Sequence, residues 1–102
     1  MKKIALSISL VILFAAFSGA ATLDDRDFQS GLDYYNNKNY AAAAKKFQEV
    51  VNKKPDATAY YLIGYSLYKL GKFSEAEENF RQAYLIDPEF SPEKVGLVNK
   101  SS

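Results

Sequence analysis

The sequence predicts an all-α fold of two helix-turn-helix units stacked on one another, closed by a short C-terminal helix. Three observations carry that prediction. Apolar residues recur at three- and four-residue steps, the spacing of one helix face, as at Phe28, Gly31, Leu32 and Tyr35 and again at Tyr60, Ile63, Gly64 and Leu67. The chain also repeats itself at one constant spacing. Gly31, Tyr34, Ala43, Phe47 and Pro55 fall under Gly64, Leu67, Ala76, Phe80 and Pro88, and Tyr40 falls under Phe73. Finally, residues that stop helices stand between the apolar stretches: Pro55, Gly71 and Pro88.

The first twenty residues read as something other than this domain. Lys2 and Lys3 make a positive start, Ile4–Phe17 is an apolar run broken only by Ser7 and Ser9, and Ser18-Gly19-Ala20 supplies small residues. That order is the pattern of a secretory signal peptide, cut after Ala20 or Ala21. A membrane anchor needs roughly 20 apolar residues, more than this run holds. With residues 1–20 removed, 11 basic side chains face 12 acidic ones, so residues 21–102 carry a formal charge of −1. Such a balance gives no electrostatic footprint for nucleic acid or an acidic membrane. Cysteine is absent throughout, so stability must come from helix packing, self-association or a partner.

Asp24, Asp25 and Asp27 crowd before Phe28, where acidic residues complement the unpaired N–H groups of a helix start. A calcium loop would need the glycine of an EF-hand, which is missing. The first helix is expected over Phe28–Asn36, followed by a turn at Asn36-Asn37-Lys38-Asn39, since asparagine tolerates left-handed backbone angles. The second helix is expected over Tyr40–Lys53, with Ala41-Ala42-Ala43-Ala44 as strong helix former and Phe47, Val50 and Val51 as its apolar stripe. Pro55 ends it. Thr58–Leu70 is the third helix, apolar on two sides: Tyr60, Ile63, Gly64 and Leu67 make one face, Tyr61, Tyr65 and Tyr68 another. Both must be covered. Ser74-Glu75-Ala76-Glu77 reads as a capping box opening a fourth helix over Ser74–Ile86, with Glu77 and Arg81 as an i, i+4 pair. Ser91-Pro92-Glu93 signals one more start. The short capping helix is expected at about Pro92–Asn99, weakened by Gly96, with Val95, Leu97 and Val98 as its apolar surface and Phe90 preceding it.

Tyr60, Ile63, Gly64, Leu67, Ala76, Phe80, Ala83 and Pro88 together resemble one tetratricopeptide repeat. The matching positions earlier in the chain resemble another, with Asp27 and Ser30 standing where Tyr60 and Ile63 stand. The first helix of that repeat is therefore expected either to begin late or to lie exposed. The organisation is then a signal peptide over 1–20 and a repeat domain over 21–102, with repeat one at 24–56, repeat two at 57–90 and the capping helix at about 92–99. The resemblance implies a right-handed superhelical array. About three repeats are normally needed for a stable one, so two repeats and a cap suggest association with something else.

Catalysis lacks its parts. Histidine and cysteine are both absent, which removes imidazole bases, thiolate nucleophiles and the common zinc sites. Glu77 and Glu78 are adjacent, so they point about 100° apart on a helix and do not converge. No Gly-rich phosphate loop exists, and no cofactor is implied. The expected activity is binding. In tetratricopeptide proteins the first helix of each repeat lines the concave surface, which by resemblance brings Phe28, Leu32, Tyr35 and Asn36 together with Tyr61, Tyr65, Tyr68 and Lys69. Phe28 and Leu32 stand where the family's carboxylate clamp has lysine and asparagine, so that clamp is not expected. An aromatic groove remains, suited to a peptide or helix of another envelope protein. Two alternatives stay open at this point: the tyrosines simply pack against Phe28, Leu32 and Tyr35, or the same apolar face joins two copies of the chain.

Overall fold

The computed structural model describes residues 26–97, which fold into four helices: α1 (26–36), α2 (Tyr40–Lys53), α3 (Ala57–Lys69) and α4 (Phe73–Ile86). No strand occurs among the described residues. The expected signal segment over 1–20, Asp24, Asp25 and the end of the chain from Val98 lie outside them. α2 packs on α3 and α3 on α4.

Each helix pair closes on a glycine. A Cβ placed on Gly31 would come within 2.7 Å of the Phe47 ring, and one on Gly64 within 2.7 Å of the Phe80 ring. Hydrogen at that position lets the aromatic ring lie flat on the neighbouring helix backbone. The recurrence of glycine and phenylalanine in the sequence is thus one packing solution used twice. The main core follows from it: Ala43, Phe47 and Val51 of α2 meet Ala59, Leu62 and Ile63 of α3, with Phe28 and Leu32 packed on the outside. Ser66 is also fully buried on α3, and its hydroxyl makes no hydrogen bond among the described residues.

The two intra-repeat turns are the same motif. In the first, Asn39 N–H donates to Tyr34 C=O at 2.8 Å and Lys38 N–H to Tyr35 C=O at 3.0 Å. At the matching positions of the second, Lys72 N–H donates to Leu67 C=O at 2.9 Å and Gly71 N–H to Tyr68 C=O at 3.0 Å. This pair of bonds defines a Schellman turn, whose pivot residue takes a left-handed backbone. Gly71 does so at φ 82°, and Lys38 at φ 63°. The left-handed residue of the first turn is therefore the lysine and not one of the asparagines that surround it. Asn39 instead caps α2, its Oδ1 accepting from Ala42 N–H at 3.4 Å.

Several local expectations are corrected. α3 starts at Ala57, one residue early, because Asp56 Oδ1 accepts from Thr58 N–H at 3.0 Å and so serves as its cap. α4 starts at Phe73 with Lys72 as N-cap and no side-chain cap bond. Ser74 already lies inside the first turn, so the capping box does not form; the Schellman bonds hold Lys72 in place instead. Arg81 pairs with Glu78 and not with Glu77. α1 does not begin late: it is helical at residue 26, and Asp27 reaches Lys53 at 2.9 Å and Lys46 at 3.8 Å on α2. The expected capping helix is, over residues 92–97, a run of turns. Leu97 N–H donates to Pro92 C=O at 2.9 Å and Gly96 sits at φ 79°, a backbone no α-helix contains. The covering is done by Phe90, buried with Ala57 and Ala83, and by Leu97 beside it.

Candidate functional site: an aromatic face on α1 and α3

The third helix presents Tyr61, Tyr65 and Tyr68 along one side because i, i+4 and i+7 fall within one stripe of an α-helix. Their rings form a chain. Tyr61 and Tyr65 stack with centroids 6.3 Å apart, and Tyr65 lies 6.3 Å from Tyr68. From α1, Tyr35 joins at 6.0 Å from Tyr65. The chain extends beyond the residues that spacing had singled out. Tyr40 lies edge-on to Tyr35 at 5.8 Å, and Phe73 edge-on to Tyr68 at 5.3 Å. At the other end Tyr61 meets Phe80 at 5.4 Å and Phe90 at 5.3 Å, and Phe90 meets Tyr84 at 6.0 Å. Edge-on and offset geometries are the favoured ones for aromatic pairs. Tyr40 and Phe73 were legible as a matched pair at the repeat spacing, though nothing in that pattern tied them to the tyrosine stripe.

Of the eight residues expected to line the groove, five come together: Tyr35, Tyr61, Tyr65, Tyr68 and Lys69. Lys69 Nζ sits 5.4 Å from the Tyr65 ring centroid, within the range of a cation–π contact. Asn36 is exposed at the end of α1. Phe28 and Leu32 are partly buried against the α2–α3 core, Phe28 edge-on to Phe47 at 5.4 Å. Phe28 also lines a separate cleft of about 850 Å³ with Val50, Pro55, Ala57, Ile86 and Phe90, on the side of the second-helix C-termini. α1 therefore uses its N-terminal apolar residues for the fold and only its last turn for the aromatic face.

Exposure is graded along this face. Tyr35, Tyr61 and Tyr65 are half-buried. Tyr68 is 52% exposed and Phe73 61%, so the open end lies at the α3–α4 turn. Burial, with the neighbouring phenols Tyr65, Tyr61 and Tyr40 adding to it, pushes the Tyr35 hydroxyl well above the usual tyrosine value. Tyr61 is raised likewise, first by burial and then by Tyr65, Tyr84 and Glu93. Both stay protonated at neutral pH and keep an O–H to donate. The face offers rigid apolar area with hydroxyl donors and one flanking cation. Among the described residues no group of acidic side chains could hold a metal ion, and no helix is long and apolar enough to cross a membrane.

The helix pairs, their glycine–phenylalanine closures and this shared face define a helical-repeat scaffold. A tetratricopeptide repeat family model matches residues 28–92, and the chain belongs to that family. Searches of curated proteins and of solved structures return no match. Repeats of this family generally mediate protein–protein interaction, and the family is typically a non-catalytic scaffold.

Proposed function

We propose that the protein is an exported, non-catalytic interaction module of the cell envelope, directed to the periplasm by the signal pattern of residues 1–20. It binds a peptide or helix of a protein partner on the aromatic face of α1 and α3. One observation carries this reading: a continuous ring chain from Tyr61 through Tyr65 to Tyr68 and Phe73, joined at Tyr65 by Tyr35, half-buried at one end and open at the other. A half-buried end fixes the geometry, and an exposed aromatic end is the kind of surface that marks contacts. Helix-in-groove recognition uses such a face through anchors spaced three and four residues apart. Lys69 at its edge favours a partner with a carboxylate or an aromatic near that anchor.

The test begins with protein purified from the envelope fraction, whose intact mass reports a cut after Ala20 or Ala21. Crosslinking there identifies what it holds. Tyr65→Ala with Tyr68→Ala is expected to abolish recovery of that partner while far-UV helicity persists; unchanged recovery would remove this face as the site. A dimer in sedimentation that the same double variant dissociates would mean that the face joins two copies instead.

A further inference from the structure

The rings of the aromatic face pack on one another, but their hydroxyls are not spent. Among the described residues, the phenol oxygens of Tyr35, Tyr61, Tyr65 and Tyr68 make no hydrogen bond to another protein group. Nor are they sealed in. Ser66 Oγ is the one buried side-chain polar atom without a partner among the described residues. The oxygens of half-buried Tyr35, Tyr61 and Tyr65 therefore reach the surface, and Tyr68 is exposed outright. Burial holds Tyr35 and Tyr61 in the protonated form. Lys69, beside the Tyr65 ring, adds a group that donates and cannot accept.

The face thus offers rings and donors. Its complement is a segment with an apolar body and free acceptors, and three backbone forms differ in that respect. An α-helix spends its carbonyls on its own N–H groups, so it would bring only side chains to the hydroxyls. A strand brings free carbonyls but also an N–H from every residue, and the internally bonded helices α1 and α3 offer few backbone acceptors in return. Polyproline II leaves its carbonyls free, and each proline in it has no N–H to satisfy. The pyrrolidine rings are apolar, and their fixed φ means that little conformational freedom is lost on binding.

The lengths agree as well. From Tyr61 to Tyr68 is a rise of about 10 Å along α3, at ~1.5 Å per residue, and one turn of polyproline II covers about 9 Å. The ring chain then continues from Tyr68 to Phe73 at 5.3 Å. A second turn of such a segment would find an apolar footing there, beyond the hydroxyls.

We infer that the ligand of this face is an extended, proline-rich segment of the partner, held in polyproline II form with its carbonyl oxygens toward the hydroxyls of Tyr35, Tyr61, Tyr65 and Tyr68. The inference rests on the reading of this face as the partner site and selects, from peptide and helix, the extended peptide.

The probe is octaproline with both ends capped, which carries no charge and no side-chain hydrogen bond. In an NMR titration of the isotope-labelled protein, saturable shifts centred on Tyr61, Tyr65 and Tyr68 are expected. A capped Gly-Ser octamer, which has carbonyls but also N–H groups and no fixed φ, should bind at least about tenfold more weakly. Tyr61→Phe with Tyr65→Phe keeps both rings and removes two hydroxyls that bond nothing in the protein, so the fold should persist while octaproline affinity falls by about tenfold. Tyr34→Phe, outside the ring chain, should leave affinity unchanged. No saturable shifts with octaproline, equal binding of the Gly-Ser octamer, unchanged affinity in the double phenylalanine variant, or an equal loss in Tyr34→Phe would each overturn the inference. Any of these results, with the crosslinked partner still lost from Tyr65→Ala with Tyr68→Ala, would overturn the proline-rich ligand and keep the face as the site. Unchanged recovery of that partner by the alanine variant would overturn both.

Discussion

Repeat one and repeat two are nearly the same object as far as their closures go, and opposites as far as their surroundings go. Both set a glycine against a phenylalanine ring and turn through a Schellman motif. In repeat one the phenylalanine is fully buried because α3 lies across α2; in repeat two Phe80 is only half-buried, because turns and not a helix follow. Polar chemistry differs in the same sense. Asp27 and Lys53 form an ion pair across repeat one, and the matching positions of repeat two hold Tyr60 and Ile86. A repeat unit therefore carries one code for closing on itself and a second code for what lies beside it. The first is shared; the second differs between the interior and the end of an array.

The largest break in this comparison should come from the paired phenylalanines. Phe47→Ala empties a fully enclosed site and is expected to cost about 4 kcal/mol, enough to unfold so small a domain, whereas Phe80→Ala should cost about half as much. Urea denaturation of both variants measures this, and equal losses would mean that repeat two is as well covered as repeat one.

The turns give a smaller, signed difference. Gly71→Ala forces a Cβ into a left-handed backbone and should lose about 1 to 2 kcal/mol. Lys38→Gly removes that strain from the matching turn and should gain less than about 1 kcal/mol. Thermal melts showing opposite signs would establish the two turns as one motif with unequal residues. Should Lys38→Gly destabilise instead, the lysine side chain does something in that turn beyond occupying it.

The smallest effect belongs to the ion pair that only repeat one has. Its hydrogen bond from Lys53 holds the Asp27 carboxyl below its ordinary value of 3.8, with the charges of Lys53 and Lys46 acting in the same direction against partial burial. A lowered folded value means that the contribution is present above that ordinary value and is lost as pH falls through the folded one. Asp27→Asn should therefore lower the melting temperature slightly at neutral pH and converge with the parent protein as pH falls through the folded value, which flattens the acid limb. An unaltered acid limb would place the acid sensitivity elsewhere, Glu78 beside Gln82 and Arg81 being the other lowered carboxyl.

The order of the four helices and the recurrence of glycine and phenylalanine at one spacing could be read directly from residues, because each depends on pattern within a few turns of chain. Pro55 and Asp56 stop one helix and start the next through bonds they make or cannot make locally. The tyrosine stripe of α3 was legible for the same reason. Its neighbours were not: assigning Phe28 and Leu32 to the groove requires knowing which way α1 faces. That orientation is decided by Gly31 resting on Phe47, which leaves Phe28 against the core and the cleft and only Tyr35 beside Tyr65.

The residues alone settle, through periodicity, stop signals and an internal echo of Gly31 and Phe47 in Gly64 and Phe80, that this chain makes two helix pairs with aromatic residues on the first helix of the second pair. Packing alone settles which of those aromatics are floor and which are surface. It also makes Lys38 the left-handed residue, gives α4 its start at Phe73 and turns the expected last helix into a run of turns. The reason is physical. A helix pattern states which side of a segment is apolar, but burial depends on the partner laid against that side, and for α4 no helix of the described chain supplies one.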